Sequence, residues 1–208
     1  MEQAAVSYQR SAIGIRAAAV VLGAVLVAAA AQVSVPLPGT PVPMTLQPMA
    51  VLLVGGLLGA PLGALSMILY LAMGAAGLPV FTPTVPLVGV ARLFGPTGGY
   101  LLAYPVAAYV VGSFVYGRAL RGRARLDSAP LQRAPHAEPG LLARVTLGVV
   151  VGLILIHLGG LAQLAIITGN LSAAARFGTV PFLLGDLLKI AVLVPVLTKL
   201  TPTIRARL

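Results

Sequence analysis

Long apolar runs separated by clusters of glycine and proline dominate the chain. Residues 17–91 contain no Asp, Glu, Lys, Arg or His, and this stretch is far longer than the roughly 20 residues that one helix needs to cross a bilayer. Proline lacks an N–H group and fixes φ, so the proline clusters divide the stretch into separate helices. The pattern predicts an all-α membrane protein, a bundle of six transmembrane helices at about 13–34, 45–59, 62–78, 97–117, 143–163 and 181–199.

The segments between these runs predict loops and turns. Residues 35–43 hold four prolines in nine positions, and residues 80–96 form a second segment rich in proline and glycine. We call these two segments the roof loops. The sequence GAPLG at 59–63 predicts a tight turn between two helices, and a polar connection around Asn170 leads to the last run.

Composition agrees with a chain that faces lipid. Of its 208 residues, 59% are hydrophobic and only 9% are charged, whereas soluble domains carry about a quarter charged residues. The length suggests one domain, residues 1–208. The absence of cysteine excludes disulfides and thiolate chemistry. With His136 and His157 as the two histidines, we expect neither a metal site nor another cofactor.

The positive charge predicts an orientation in the membrane. The formal charge of +10 comes from basic residues at both chain ends and in a central cluster at 118–133. With six helices these three groups share one side, which the positive-inside rule makes the cytoplasmic side, so both termini are inside (N-in/C-in). No aromatic residues are interleaved with the central cluster to stack bases, and we expect no nucleic-acid binding. Arg92 and Arg176 fall on the outer side.

Asp186 and Lys189 are the most informative polar pair. Their spacing of three places both side chains on one face of a helix. A charge in the middle of a bilayer costs about 2.5–3.5 kcal/mol, so the pair must either lock the last helix into the bundle or face a polar cavity. A helix that begins near Pro181 would place Asp186 only ~8 Å below its outer end, a depth that favours a cavity open to the outside.

Four further residues are candidates for the wall of such a cavity or for its surroundings. Arg92 has the planar donor fork that captures a carboxylate, but an arginine at this depth also anchors to lipid headgroups. Thr45 and Gln47 bring neutral hydrogen-bonding groups into the second helix; satisfied buried polar groups are the alternative. Tyr100, in GPTGGY at 95–100, lies where glycines permit a close backbone approach at a helix start.

Three other residues, Ala24, Ala28 and His157, are candidates for docking or catalysis. Ala24 and Ala28 have the small-xxx-small spacing that lets another helix approach, which indicates either a partner membrane subunit or packing inside the bundle. His157 is typical of a histidine that hydrogen-bonds between helices. An intramembrane protease would need it beside Ser66 or Ser113, and neither serine has the G-x-S-G context. We expect no enzyme activity.

Four blocks of sequence, in this order, carry a resemblance to a known family: VPLPGTPVPMTLQ at 35–47, GLPVF at 77–81, GPTGGYL at 95–101 and PFLLGDLLK at 181–189. They resemble the BioY family, the biotin-binding S components of energy-coupling factor (ECF) transporters. The resemblance implies a six-helix bundle in the bacterial cytoplasmic membrane that takes up biotin from outside. It also implies a transmembrane coupling subunit and two ATPase subunits as partners, with Asp186 and Lys189 as the polar pair of the last helix.

On this resemblance, each candidate residue has an expected role. Asp186 and Lys189 would bind the ureido head of biotin and Arg92 its valerate carboxylate. Apolar residues such as Phe81 would cover the thiophane ring and the tail beneath the roof loops. The alternatives are an S component for another small vitamin, an intramembrane enzyme, and a purely structural assembly subunit.

Overall fold

The computed structural model describes residues 2–123 and 140–206, with side chains at 13–117 and 140–206. Side chains of the central basic cluster, His136 and the first and last basic residues lie outside these ranges. The helices are α1 Glu2–Gln32, α2 Gln47–Leu58, α3 Ala60–Ala75, α4 Ala91–Phe94, α5 Gly98–Arg123, α6 Leu141–Thr168, α7 Leu171–Gly178 and α8 Leu183–Arg205. A 3-10 turn, Val180–Phe182, precedes α8, and two short strands, β1 Ser34–Val35 and β2 Met44–Thr45, pair antiparallel.

Each of the six predicted apolar runs coincides with a helix in the described part of the chain. The turn predicted at 59–63 is shorter than expected, since α2 ends at Leu58 and α3 begins at Ala60. Gly59 alone makes the turn, with φ 81°, a conformation that residues with a Cβ rarely adopt. Among the residues that the structure describes, four helical stretches are long and apolar enough to cross a membrane: Ile13–Gln32, Gly98–Gly117, Leu141–Thr168 and Leu171–Arg205. The helices α2 and α3 are apolar but shorter.

The structure adds two short helices to segments expected to be loops. The polar connection before the last run contains α7, whose first turn is capped where the Asn170 side chain accepts a hydrogen bond from Ala173 N at 3.1 Å. Asparagine is among the preferred N-cap residues, so this signal was present in the sequence. The second roof loop contains α4, and the first is closed at its base by the β1–β2 pair.

Two small residues of α1, Gly23 and Ala24, are buried inside the bundle. Ala24 has no exposed surface, Ala28 packs against the same core, and a Cβ added to the adjacent Gly23 would lie 2.6 Å from Ser66 Oγ of α3. The opposite face carries exposed side chains such as Leu22. Ala24 is enclosed by its own chain, which favours internal packing at this position, while Ala28 is half-buried. The docking role expected for Ala24 and Ala28 stays a prediction.

The last helix turns Asp186 and Lys189 inward. Asp186 and Lys189 are each 7% exposed. The buried face of α8 on which they lie continues through Leu193 and Leu197. On the opposite face Leu184 is 81% exposed, as expected for a side chain that meets lipid. The helix therefore directs an acid and a base into the bundle.

Candidate functional site

A cavity of about 600 Å³, measured out to its mouth, lies between the roof loops and helices α2, α5, α6 and α8. Apolar and aromatic side chains form most of the wall. Besides two tyrosines, eight polar or charged residues contribute to it: Thr45, Gln47, Thr82, Arg92, Thr97, His157, Asp186 and Lys189.

The cavity wall includes every residue that the sequence singled out for ligand contact, namely Asp186, Lys189, Arg92, Gln47, Thr45, Tyr100 and Phe81. These positions come from the second roof loop, from α2 and its approach, from α5 and from α8. The fold thus brings together residues that are far apart in the chain. Their contacts with a ligand stay a prediction.

Asp186 is the centre of a charged cluster that spans two helices. Its Oδ1 lies 2.8 Å from Lys189 Nζ, one turn along α8, and its Oδ2 lies 2.6 Å from His157 Nε2 on α6. The three side chains are 9–16% exposed. Both carboxylate oxygens therefore have a fixed orientation, while carboxylate lone pairs remain for a further donor.

His157 is the main residue that sequence reasoning placed outside the site. It does bridge helices, as expected, but its partner is the acid of the candidate site and it lies on the cavity wall. The rings of Tyr100 and Phe182 flank it at 6.3 and 6.4 Å between centroids. A histidine inside a membrane span is rare enough to suggest a functional partner. Which residue is that partner depends on how α6 packs against α8, which the sequence does not show.

We expect the substitution His157→Leu to lower the free energy of unfolding by about 1–3 kcal/mol, because it leaves a buried carboxylate oxygen without its donor. Thermal unfolding of the purified chain in detergent measures this. Leu158→Ala, on the exposed side of the same helix, is the control and should change the midpoint little. A His157→Leu variant as stable as the unsubstituted chain would show that the bridge to Asp186 contributes nothing.

A second polar network supports the wall near α2. Gln47 Nε2 donates to Tyr70 Oη at 2.5 Å, and Tyr70 Oη donates to the carbonyl of Val80 at 3.3 Å. Thr45 Oγ1 donates to Gln47 Oε1 at 3.2 Å. This network joins α2 and α3 to the start of the second roof loop, so Gln47 and Thr45 are structurally engaged as well as lining the cavity.

Arg92 is 1% exposed and is bound to its own loop. Its guanidinium donates to three backbone carbonyls, those of Thr82 at 2.6 Å, Leu87 at 3.1 Å and Val85, and lies 6.0 Å from the Phe81 ring. Burial lowers the pKa of Arg92 from its usual value, but an arginine remains charged in proteins. Anchoring to lipid headgroups is thereby excluded, because the side chain is enclosed. In this structure the hydrogen bonds of Arg92 hold the second roof loop in its conformation.

The first roof loop closes over the cavity from the other side. Val42 and Pro43 lie on the wall, and Thr40 Oγ1 donates to the carbonyl of Phe177 in α7 at 2.6 Å. Helix α7, which the sequence did not predict, thus holds the first roof loop in place.

Neither Ser66 nor Ser113 forms a nucleophilic pair with His157. Ser66 is fully buried beneath α1 and its Oγ donates to the carbonyl of Leu62 at 2.9 Å, while His157 is committed to Asp186. Ser113 Oγ donates to the carbonyl of Tyr109 at 2.9 Å. Within the described ranges, no three side chains of His, Asp or Glu lie close enough to hold a metal ion.

A family model described as the BioY family matches residues 4–206. The chain belongs to the BioY family. A BioY family protein of Pyrococcus horikoshii, named a probable biotin transporter, is 46% identical over 88 residues, 42% of this chain and 52% of that protein. Another, of Bacillus subtilis and named likewise, is 30% identical over 153 residues, 74% of this chain and 72% of that protein. The match therefore spans about half the length of the Pyrococcus relative.

The fold has a counterpart among solved structures. The crystal structure of the S-component for biotin from an ECF-type ABC transporter superposes with a TM-score of 0.72 over 91% of this chain and 92% of that chain, at 24% identity. The likeness establishes an S-component fold. With its apolar helices, this member of the BioY family is a multi-pass membrane protein.

Proposed function

We propose that the chain binds biotin in this cavity and serves as the substrate-capturing S component of an ECF transporter. The observation that carries the proposal is the Asp186–Lys189 pair, kept on the wall of a cavity in a BioY family fold. Relatives named biotin transporters support the choice of cargo.

The chemistry of biotin complements the charged cluster. Its ureido ring offers two N–H donors and one carbonyl acceptor, and the cluster offers a carboxylate beside an ammonium group. His157 holds one oxygen of Asp186 in place, so the acceptor is oriented before the ligand arrives, which lowers the cost of ordering on binding. Apolar side chains such as Phe81 and Ile156 on the same wall would cover the fused rings.

The charge balance of the wall favours an anionic ligand. Arg92 and Lys189 contribute two positive charges and Asp186 one negative charge. Within the described part of the chain, Arg92 contacts carbonyl groups and an aromatic ring, and no carboxylate there balances its buried charge. Because an uncompensated buried charge is costly, a ligand carboxylate near Arg92 would be stabilised. The valerate of biotin has this group.

The arrangement in the membrane follows from the same proposal. Six helices would cross the bacterial cytoplasmic membrane with both termini inside, and the roof loops would face the outside, where biotin enters. The basic residues at the chain ends and in the central cluster support this orientation. A coupling subunit and two ATPase subunits would supply the energy for release inward, and the exposed apolar faces of the bundle would contact lipid and the coupling subunit.

A binding isotherm tests the proposed cargo. The purified chain in detergent should bind biotin saturably with one site, as measured by titration calorimetry. Excess thiamine or riboflavin should not displace it. If biotin produced no heat or either competitor displaced it, the chain would be an S component for another ligand or no S component at all.

A further inference from the structure

Thr97 stands at the start of α5 with a hydroxyl that the protein does not use. Its carbonyl accepts the hydrogen bond of Leu101 N at 3.3 Å, as a residue at a helix N-cap does. The side chain of an N-cap threonine normally accepts a hydrogen bond from an N–H in the first turn. Here Thr97 Oγ1 is buried and has no hydrogen-bond partner.

The other threonines of the cavity wall differ from Thr97 in this respect. Thr45 Oγ1 is hydrogen-bonded to Gln47, and Thr82 Oγ1 lies 3.0 Å from Thr84 Oγ1. A buried polar group without a partner lowers stability by about 1–3 kcal/mol, so each instance calls for an explanation. Rotation about one bond exchanges the hydroxyl and methyl of a threonine, which lets the hydroxyl reach the cavity surface that Thr97 lines.

The backbone around Thr97 is held firmly. Gln163 Nε2 of α6 donates to the carbonyls of Leu93 at 2.9 Å and Gly95 at 2.7 Å, just before Thr97. Just after it, α5 and α6 approach so closely that a Cβ on Gly159 would lie 2.5 Å from Gly99 O. The position of Thr97 is therefore fixed by the fold, which is the arrangement that a specific ligand contact requires.

The face of α5 that Thr97 begins is the face that lines the cavity. Thr97, Tyr100, Leu101 and Tyr104 all contribute to the wall, at the i, i+3, i+4 and i+7 spacing of one helix side. Tyr100 Oη is already engaged, because it donates to the carbonyl of Gly178 at 2.5 Å. Thr97 is the threonine on this face with a free hydroxyl.

We propose that Thr97 is a further ligand-binding residue, whose hydroxyl donates a hydrogen bond to an oxygen of the bound ligand. The inference rests on the proposed function, in which the oxygen belongs to the ureido carbonyl or to the valerate carboxylate of biotin. Both are acceptors, and a threonine hydroxyl has one hydrogen to donate.

The substitution Thr97→Val tests the proposal, because valine has nearly the same shape without the hydroxyl. We expect it to raise the Kd for biotin about five- to tenfold, the effect of one net hydrogen bond. Thr97→Ser should stay within about twofold of the unsubstituted chain. The unliganded Thr97→Val variant should unfold at the same or a higher temperature, since it loses an unsatisfied polar group, and a structural role for the hydroxyl would not produce this combination.

Thr179 provides the matched control. Its Oγ1 is also buried without a partner, but it does not line the cavity, so Thr179→Val should bind biotin like the unsubstituted chain. Equal affinity of Thr97→Val and the unsubstituted chain would overturn the inference. So would a loss in Thr97→Ser as large as in Thr97→Val, or an equal loss in Thr179→Val.

Two further comparisons complete the test. A biotin analogue with a methyl group in place of the carboxylate separates the two oxygens: an unchanged effect of Thr97→Val assigns the contact to the ureido oxygen, and a lost effect assigns it to the valerate. Biotin binding by the unsubstituted chain tests the proposed function alone, so a failure of the Thr97 inference leaves that result standing.

Discussion

Replacing Asp186 by Asn or Lys189 by Met is expected to weaken biotin binding by at least about 100-fold, or about 2.7 kcal/mol. Hydrogen bonds to charged groups contribute about 1.5–3 kcal/mol each. Each substitution also breaks a buried pair whose atoms lie 2.8 Å apart, and the remaining charge is left in a site of low polarity. Titration calorimetry with each purified variant measures the loss.

Lys199 provides the matched control for this experiment. It lies on the same helix as Lys189 but is exposed and does not contribute to the cavity. Lys199→Met should therefore retain the affinity of the unsubstituted chain. Asp186→Asn or Lys189→Met with unchanged affinity would contradict the proposed role of the pair, whatever the behaviour of the control.

Replacing Arg92 by Lys is expected to lower biotin affinity at least about tenfold and stability by about 1.5–3 kcal/mol. A lysine keeps the charge, but its single ammonium group cannot donate to the carbonyls of Thr82, Val85 and Leu87 as the guanidinium does. The second roof loop should loosen, and faster hydrogen exchange at 82–90 should report this directly. Arg92→Met, which removes the charge as well, should have a larger effect on both quantities.

The series separates two roles of Arg92. If its charge alone matters, through a ligand carboxylate, Arg92→Lys will bind biotin normally and only Arg92→Met will fail. If Arg92 mainly shapes the loop, both variants will show faster exchange at 82–90 before any ligand is added. Arg176→Lys, an exposed arginine on α7, is the control. Normal affinity, stability and exchange in Arg92→Lys would refute the structural role.

Local sequence patterns predicted the elements well because helix length and chain breaks are local properties. Proline clusters and the turn at Gly59 separated the helices at nearly the positions the structure has. The cavity wall was also anticipated, since charged and polar residues in an apolar chain are so costly that few remain. Asp186 and Lys189 were identified by this argument alone, and the structure places both on the wall.

The contacts between distant segments could not be predicted in the same way. His157 and Asp186 are 29 positions apart, and their pairing depends on how α6 packs against α8. Arg92 was expected either to meet a carboxylate or to anchor to lipid, but the folding of its own loop supplies three carbonyl groups that bind its two terminal nitrogens. Ala24 faces inward because of the rotation of α1 about its axis, which a small-residue spacing does not determine.

The most direct test of the central claim is an experimental structure of the chain with biotin bound. We expect the ureido ring to lie within hydrogen-bonding distance of both Asp186 and Lys189, beneath the roof loops, with the fused rings against the apolar wall. Biotin bound at another place on the bundle, or in this cavity with its polar groups away from that pair, would contradict the account.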